Sequence, residues 1–360
     1  MNRIFKIISL LLFSFSLVAQ NESNSPYSRF GLGDIQNFST ANQSAMGGTG
    51  IAIYDPLLIN LNNPASYSSV FSQRFTMQTG AIHTTKLLQT PTQDQMVNST
   101  KFNYILFSFP FSNFWGSSFG LLPYSEKSYS FSDKSEDPQA ELLFKGNGGI
   151  SRIYFGNAIS LNKNISVGAN LNYLFGNLNT TRKTFFSDIS ILNSKVTEDV
   201  NINGFYMDFG FIYKAKMKGW TTVLGLTFDN GSEILAEKES LIETFRSGGE
   251  FELIEDTILF EKEIDGLLEL PKSMGFGLAL NNDNWKIMID YRTDNWESYS
   301  LFDQSDKLTN SYRISFGSEF VPDKKSLSNY YKMIRYRLGI YKHQTYLNLR
   351  GQQLDEKAVT

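Results

Sequence analysis

The 360-residue chain has no cysteine and only two histidines. Without thiols there is no disulfide framework and no thiolate chemistry, and two imidazoles leave little material for a zinc or haem site. Neither sign of charge is in excess: 33 Lys+Arg stand against 36 Asp+Glu, a net of −3. No basic field invites nucleic acid. Beyond the N-terminus no apolar run approaches the roughly 18 residues that mark a membrane helix, and mean hydropathy is −0.25, so a helical membrane protein is not expected. What the chain has in quantity is aromatics, 14% of residues, with 30 Phe and 18 Tyr.

The first residues read MNRIFKIISLLLFSFSLVAQ. Arg3 and Lys6 precede an almost wholly apolar stretch from Ile7 to Val18, and Ala19 offers a small residue for cleavage. This is the layout of a secretory signal peptide over residues 1–19. Its apolar core of about a dozen residues is short for a spanning helix, which needs roughly 20. The missing cysteine also excludes a lipid-modified cysteine behind the signal. Export leaves roughly 340 residues, long for one soluble core.

The body of the chain alternates with a period of two. Phe205, Met207, Phe209, Phe211 and Tyr213 share one face, opposed by Tyr206, Asp208, Gly210 and Ile212. Met274, Phe276, Leu278 and Leu280 alternate with Gly275, Gly277 and Ala279, and Trp285, Ile287, Ile289 and Tyr291 with Lys286, Met288, Asp290 and Arg292. Ile334, Tyr336, Leu338 and Ile340 alternate with Arg335, Arg337 and Gly339. Successive strand side chains point to opposite faces, so each segment has one apolar and one polar or small face. A soluble sandwich hides its apolar faces against each other, whereas a membrane barrel turns them to lipid and keeps polar ones inside. Three features favour the barrel. Segments run to about ten residues, the span of a tilted transmembrane strand. Aromatics sit at segment ends (Trp220, Trp285, Trp296, Tyr213, Tyr291, Tyr341), where interface girdles place them. The polar faces carry glycine and full charges. The expected fold is therefore all-β, a transmembrane antiparallel β-barrel.

Strands are expected near 73–83, 101–111, 114–124, 150–161, 164–175, 180–193, 202–214, 219–229, 273–282, 284–292, 310–321 and 332–347, with shorter pieces at 126–132 and 139–145. Leu161–Asn164, Lys214–Gly219 and Asn281–Asn284 carry turn residues and suit tight periplasmic hairpins. Residues 230–270 are charged, acidic and long, and are placed outside the cell, either as an amphipathic helix near Ile234 to Phe245 or as a projecting hairpin. Gly351 to Gln353 resembles a turn, and a strand starting at Lys357 would be left half-built, so truncation is expected, with about 14 strands in the complete barrel.

Ahead of the strands lies AMGGTGIAIYDPLLINLNNPA, from Ala45 to Ala65. A phosphate-binding glycine loop needs a strand before it, a helix after it and a cytoplasmic nucleotide supply. None is evident. Gly47, Gly48 and Gly50 instead suit tight turns close to a barrel wall, with Asn63, Pro64 and Ala65 fixing a turn before the first strand. The segment 20–72 is thus read as an N-terminal arm followed by a hatch that plugs the lumen, and 73–360 as barrel. The apolar run Ile51–Ile53 and Leu57–Ile59 either packs on the inner wall or lines a ligand route.

Several motifs resemble FadL-type outer-membrane transporters. Leu270–Pro271–Lys272–Ser273–Met274–Gly275–Phe276–Gly277, followed by Trp285, Asp290 and Trp296, resembles a strand pair of that family. Ser44 to Gly50 with Asn63–Pro64–Ala65 is similar to its N-terminal hatch, and Arg335 to Tyr341 to a late strand. The arm sequence Ser25–Pro26–Tyr27–Ser28–Arg29–Phe30 departs from the better-known transporters. The resemblance implies a 14-strand barrel plugged by its N-terminal segment, taking up hydrophobic compounds.

No catalytic constellation stands out: His83 and His343 lie far apart in sequence, and no enzyme, metal or cofactor is expected. Asp208, Asp290, Arg292, Arg313, Glu319, Arg335 and Arg337 fall on inward faces. A buried charge needs a partner, so these residues either pair across strands or hold an anionic head group, a task that suits Arg. Two functions follow. One is passive uptake of hydrophobic small molecules such as long-chain fatty acids across a Gram-negative outer membrane, with outer-membrane lipid around the barrel. The other is a non-transporting barrel subunit of an outer-membrane protein secretion or assembly complex, with the N-terminal arm docking a partner if it leaves the barrel. An apolar cavity beside the hatch would favour the first; a filled lumen the second.

Overall fold

A computed structural model describes residues 25–69, 74–89, 94–248, 251–326 and 329–360. The proposed signal peptide at 1–19 lies outside the described residues. The strands are β1 (Asp34–Ile35), β2 (Thr76–Gln89), β3 (Asp94–Pro110), β4 (Trp115–Glu126), β5 (Tyr129–Glu136), β6 (Gln139–Ser160), β7 (Ile165–Phe186), β8 (Asn193–Met217), β9 (Trp220–Asp229), β10 (Glu233–Gly248), β11 (Phe251–Glu269), β12 (Ser273–Asn281), β13 (Trp285–Asp294), β14 (Ser300–Leu301), β15 (Ser311–Phe320), β16 (Tyr336–Leu349) and β17 (Gln352–Val359). All belong to one 17-stranded sheet. Its wall is the antiparallel series β2, β3, β4, β6, β7, β8, β9, β12, β13, β15, β16, β17. The helical pieces are short, α1 (Ala41–Ser44) and α2 (Tyr330–Met333) among them.

The wall is apolar outside, as a membrane barrel requires, and inside it mixes polar and small residues with apolar ones buried against the N-terminal segment. On β8, Phe205, Met207 and Phe209 are 61%, 45% and 43% exposed, while the intervening Tyr206 and the following Ile212 are buried. Ile289, Ile314, Phe316, Leu338 and Ile340 continue the outward band; Asp290, Ser315 and Glu319 are buried inside it. Trp285, Tyr213 and Tyr291 are exposed on this band, as a girdle needs. Trp296 and Tyr341 are not part of one. Trp296 is buried against Tyr346 with ring centroids 4.5 Å apart, and Tyr341 lines the lumen. Position at a segment end alone could not separate a girdle ring from one folded over the barrel mouth.

The wall has unequal height. β9, β12 and β13 have 10, 9 and 10 residues, a bare membrane crossing. β6, β7 and β8 have 22, 22 and 25 residues, roughly 70–80 Å at ~3.3 Å per residue, and rise far beyond an apolar band of ~25 Å. Several expected boundaries change accordingly. The pieces at 139–145 and 150–161 are one strand, β6, and 164–175 continues without a break to Phe186. Above the membrane both strand faces are wet, so Asn177, Asn179, Thr180 and Thr181 carry no alternation although their backbone pairing with β8 is unbroken. The segment 230–270 is the hairpin β10–β11, not a helix: β10 is paired on one side by β8 and on the other by β11. The turn before the last strand is Arg350–Gly351, both at positive φ, and β17 begins at Gln352, ahead of the expected Lys357.

Candidate functional site at the plug

Residues 25–69 fold inside the wall. The N-terminal arm does not leave the barrel. Ser25 N donates to Ser128 O, Gly31 N to Asp306 Oδ2 at 2.5 Å, and Leu32 joins a buried cluster with Leu174, Trp296, Tyr299 and Tyr346. The guanidinium of Arg29 lies over the rings of Phe131 and Phe144. Ser28, Arg29 and Phe30 of the arm are engaged here, while Tyr27 stays exposed. β3 and β4 pair only from Ile105 to Pro110 against Gly116 to Leu121. Above that seam β4 takes β1 as its neighbour, with Asp34 opposite Glu126 and Ile35 opposite Ser125. The arm thus extends the wall where two wall strands part.

The hatch begins at α1, capped by the sequence Thr40–Ala41–Asn42–Gln43: Gln43 Oε1 accepts from Thr40 N at 2.9 Å. Gln43 Nε2 then donates to Asn60 Oδ1, and Asn60 Nδ2 donates to Gly50 O, both at 2.8 Å. These buried amides tie the two ends of the glycine stretch together. Sequence reading missed Gln43 and Asn60, although the Thr-x-x-Gln spacing was there to find.

From Gly47 to Ala65 the hatch backbone presses on the wall. Gly47 and Gly48 have φ of 68° and 77°, the left-handed region that favours glycine. Gly50 N and Ile51 N both donate to Asp290 Oδ2, at 2.6 and 2.9 Å. Asn63 Nδ2 donates to Ile51 O at 2.8 Å and to Phe211 O on β8 at 3.2 Å, while its Oδ1 accepts from Ala65 N at 3.1 Å. Pro64 and Ala65 are buried against Gly168 and Gly210. The wall meets the hatch with glycine on strand after strand: Gly116, Gly168, Gly225, Gly277, Gly317 and Gly339 each leave no room for a Cβ. At Gly168 a Cβ would lie 2.6 Å from the Pro64 carbonyl carbon. The inward glycines therefore form a seat shaped for another backbone.

The candidate charges divide. Glu319 is buried between Arg335 and Arg337, accepting from Arg335 Nη1 at 3.3 Å and Arg337 Nε at 2.8 Å. Asp208 accepts from Asn170 and Asn172, each at 2.8 Å. Arg292 donates to Asp294 at 3.1 Å and Ser273 at 3.2 Å. Arg313 stacks on Tyr341, 3.7 Å from its centroid, and donates to Gly47 O at 3.2 Å. Asp290 and Arg313 thus hold the hatch itself. Lys286 adds a third tie, 3.1 Å from Asp55. Burial pushes the Asp55 carboxyl upward, but the Lys286 ammonium and the Leu57 N–H outweigh it, and its pKa lies below the usual carboxylate range. That tie is present above the unfolded carboxyl's pKa and is lost as pH falls through the lower folded value.

Beside the hatch remains a cavity of about 810 Å³ lined by Arg152, Asp208, Asp229, Arg292, Arg313 and His343 among others. Sites for apolar ligands are mostly apolar with few polar groups; this one is mixed, its ions sharing the lining with Phe38, Ile51, Leu61, Phe228 and Leu347. No cluster of metal-ligating side chains occurs among the described residues.

The BamG family model matches residues 1–360. The chain belongs to the BamG family. No curated protein matches this BamG-family chain significantly. Among solved structures it is similar to the Pseudomonas putida toluene transporter TodX, with a TM-score of 0.58 and 15% identity over 88% of each chain. A Pseudomonas aeruginosa FadL homologue matches with a TM-score of 0.43 and 8% identity, over 90% of this chain and 96% of that one. At that identity the TodX likeness shows the fold alone, a β-barrel that this BamG-family chain shares.

Asp290→Ala is expected to loosen the hatch without unfolding the wall. It leaves the Gly50 and Ile51 N–H groups unpaired, at about 1.5–3 kcal/mol for each hydrogen bond to a charged group. Hydrogen exchange at those two amides should rise about 100-fold or more. Unchanged protection would mean that Asp290 does not hold the hatch.

Proposed function

We propose that this chain is an outer-membrane barrel acting as a non-transporting subunit of an outer-membrane protein complex. The observation that carries this reading is the lumen: the hatch is seated backbone-on-backbone against the wall, and the space left beside it sets Arg152, Asp208, Asp229 and Arg292 among its apolar groups. Desolvating such charges against a hydrocarbon is costly. Membership of the BamG family adds weight. The exposed apolar band supports a membrane location. A second reading, passive uptake of hydrophobic compounds such as long-chain fatty acids, is favoured by the likeness to a toluene transporter; in it Arg152 or Arg292 would meet an anionic head group. Native mass spectrometry of the protein extracted in mild detergent separates the two. The expected spectrum contains the barrel with other protein chains. A barrel alone with a bound fatty acid or hydrocarbon would favour uptake and sink the subunit reading.

A further inference from the structure

β10 and β11 leave the wall as a hairpin on its tall side. β10 is held on both edges. β11 is held on one. Among the described residues its outer edge meets only β14, at Leu268 and Glu269, and Phe302 N, which donates to Leu267 O. From Phe251 to Gly266 that edge presents unpaired backbone groups over a span of ~50 Å at ~3.3 Å per residue. Long bare edges are usually shortened, covered, charged, bulged or broken by proline; β11 has 19 residues and no proline, and is bulged against β10 at Glu255, Ile258 and Lys262–Glu263, so regular ladder runs lie between those points. Its side chains are exposed on both faces: Phe251 by 75%, Leu253 by 59%, Ile258 by 61% and Phe260 by 50%. Interleaved with them are acids. Glu252 pairs with Lys183 and Glu255 with Arg246. Asp256, Glu261, Glu263 and Asp265 have no ion-pair partner among the described residues.

We propose that this edge docks an extended segment of another surface-exposed protein, in which basic residues alternate with apolar ones, by adding it as the next strand. The inference rests on the complex-subunit reading and names the surface and the chemistry of the partner. The unpaired N–H and C=O groups supply the ladder, the apolar side chains supply burial, and the acids select lysine or arginine opposite them. A second copy of this chain is a poor occupant, because two β11 edges would set acid against acid, each close pair costing ~1 kcal/mol even in water. Lipid is poor as well, because the unpaired carboxylates would enter it.

The test uses the full-length protein in its own membrane, with photoreactive benzoylphenylalanine in place of Ile258 and, as a control, in place of the lipid-facing Phe205. Irradiation should cross-link position 258, not 205, to one other protein. Mass spectrometry should map the adduct to an extended segment of alternating Lys/Arg and apolar residues. The double variant Asp256→Lys/Glu261→Lys should lower the yield at least tenfold while the barrel keeps its heat-modifiable mobility. No adduct, an adduct to this chain or to lipid, a partner segment that is acidic or helical, or a yield indifferent to charge reversal would each overturn the inference. A native spectrum in which other proteins remain bound to the charge-reversed barrel overturns the docking strand and leaves the subunit reading intact. A wild-type barrel that carries no protein at all overturns both.

Discussion

Deleting residues 40–65 is expected to turn a sealed barrel into a conducting one. The deletion removes Met46, Ala52, Ile53 and Ala65 from the buried cluster they form with Ile212, Val223, Ala279 and Met288, and Ile59 and Leu61 from a second cluster with Tyr104, Leu122 and Tyr154. What remains is a bore whose apolar groups lie beside glycine and charge, and water fills it. The wall ladders are untouched, because β2 to β17 pair with one another and not with this segment. Single-channel conductance of the refolded deletion in liposomes should exceed that of the intact protein at least tenfold. A correctly folded deletion with unchanged conductance would show that the hatch does not seal the lumen.

Gly339→Leu should reach a similar end through a single side chain. A Cβ at this position would land on the Gly47 nitrogen and the Met46 carbonyl carbon. Both are backbone, so no rotamer change relieves the clash. Gly317 is paired directly opposite and faces Met46 in the same way, leaving no free space on the neighbouring strand. Overpacking usually costs about 1–3 kcal/mol where side chains can adjust; here the hatch must lift instead. The variant should expose the segment near Gly47 to protease and raise conductance. Ile340→Leu is the control, since Ile340 is 50% exposed on the lipid face and its substitution should change neither reading.

The barrel was legible because lipid demands an apolar outer face, and every second residue from Phe205 to Tyr213 and from Ile334 to Ile340 supplies one. The hatch was legible from Gly47, Gly48, Gly50 and Asn63–Pro64–Ala65, which mark a backbone bent close to something. The rising halves of β6, β7 and β8 were not, since in water either face accepts any polar residue and only the ladder persists. Nor was the fate of the inward charges. Their alternation places Asp290 and Glu319 inside the barrel, but whether each meets a ligand, another strand or the hatch depends on residues more than 200 positions away for Asp290 and 16 to 18 for Glu319. The place of the N-terminal arm was hidden for a related reason. Ser25 to Phe30 has the exposed chemistry of a docking motif, and its true partners, Ser128 and the rings of Phe131 and Phe144, lie about a hundred residues on.

The glycine seat also dictates an order of construction. Because hatch and wall touch through main chain on strand after strand, the hatch cannot be threaded into a finished cylinder past outward-locked neighbours. It has to be lying in place while the staves are set around it. The hatch precedes β2 in the chain, so it leaves the ribosome and the export channel before the strands do and is on hand when β2 forms.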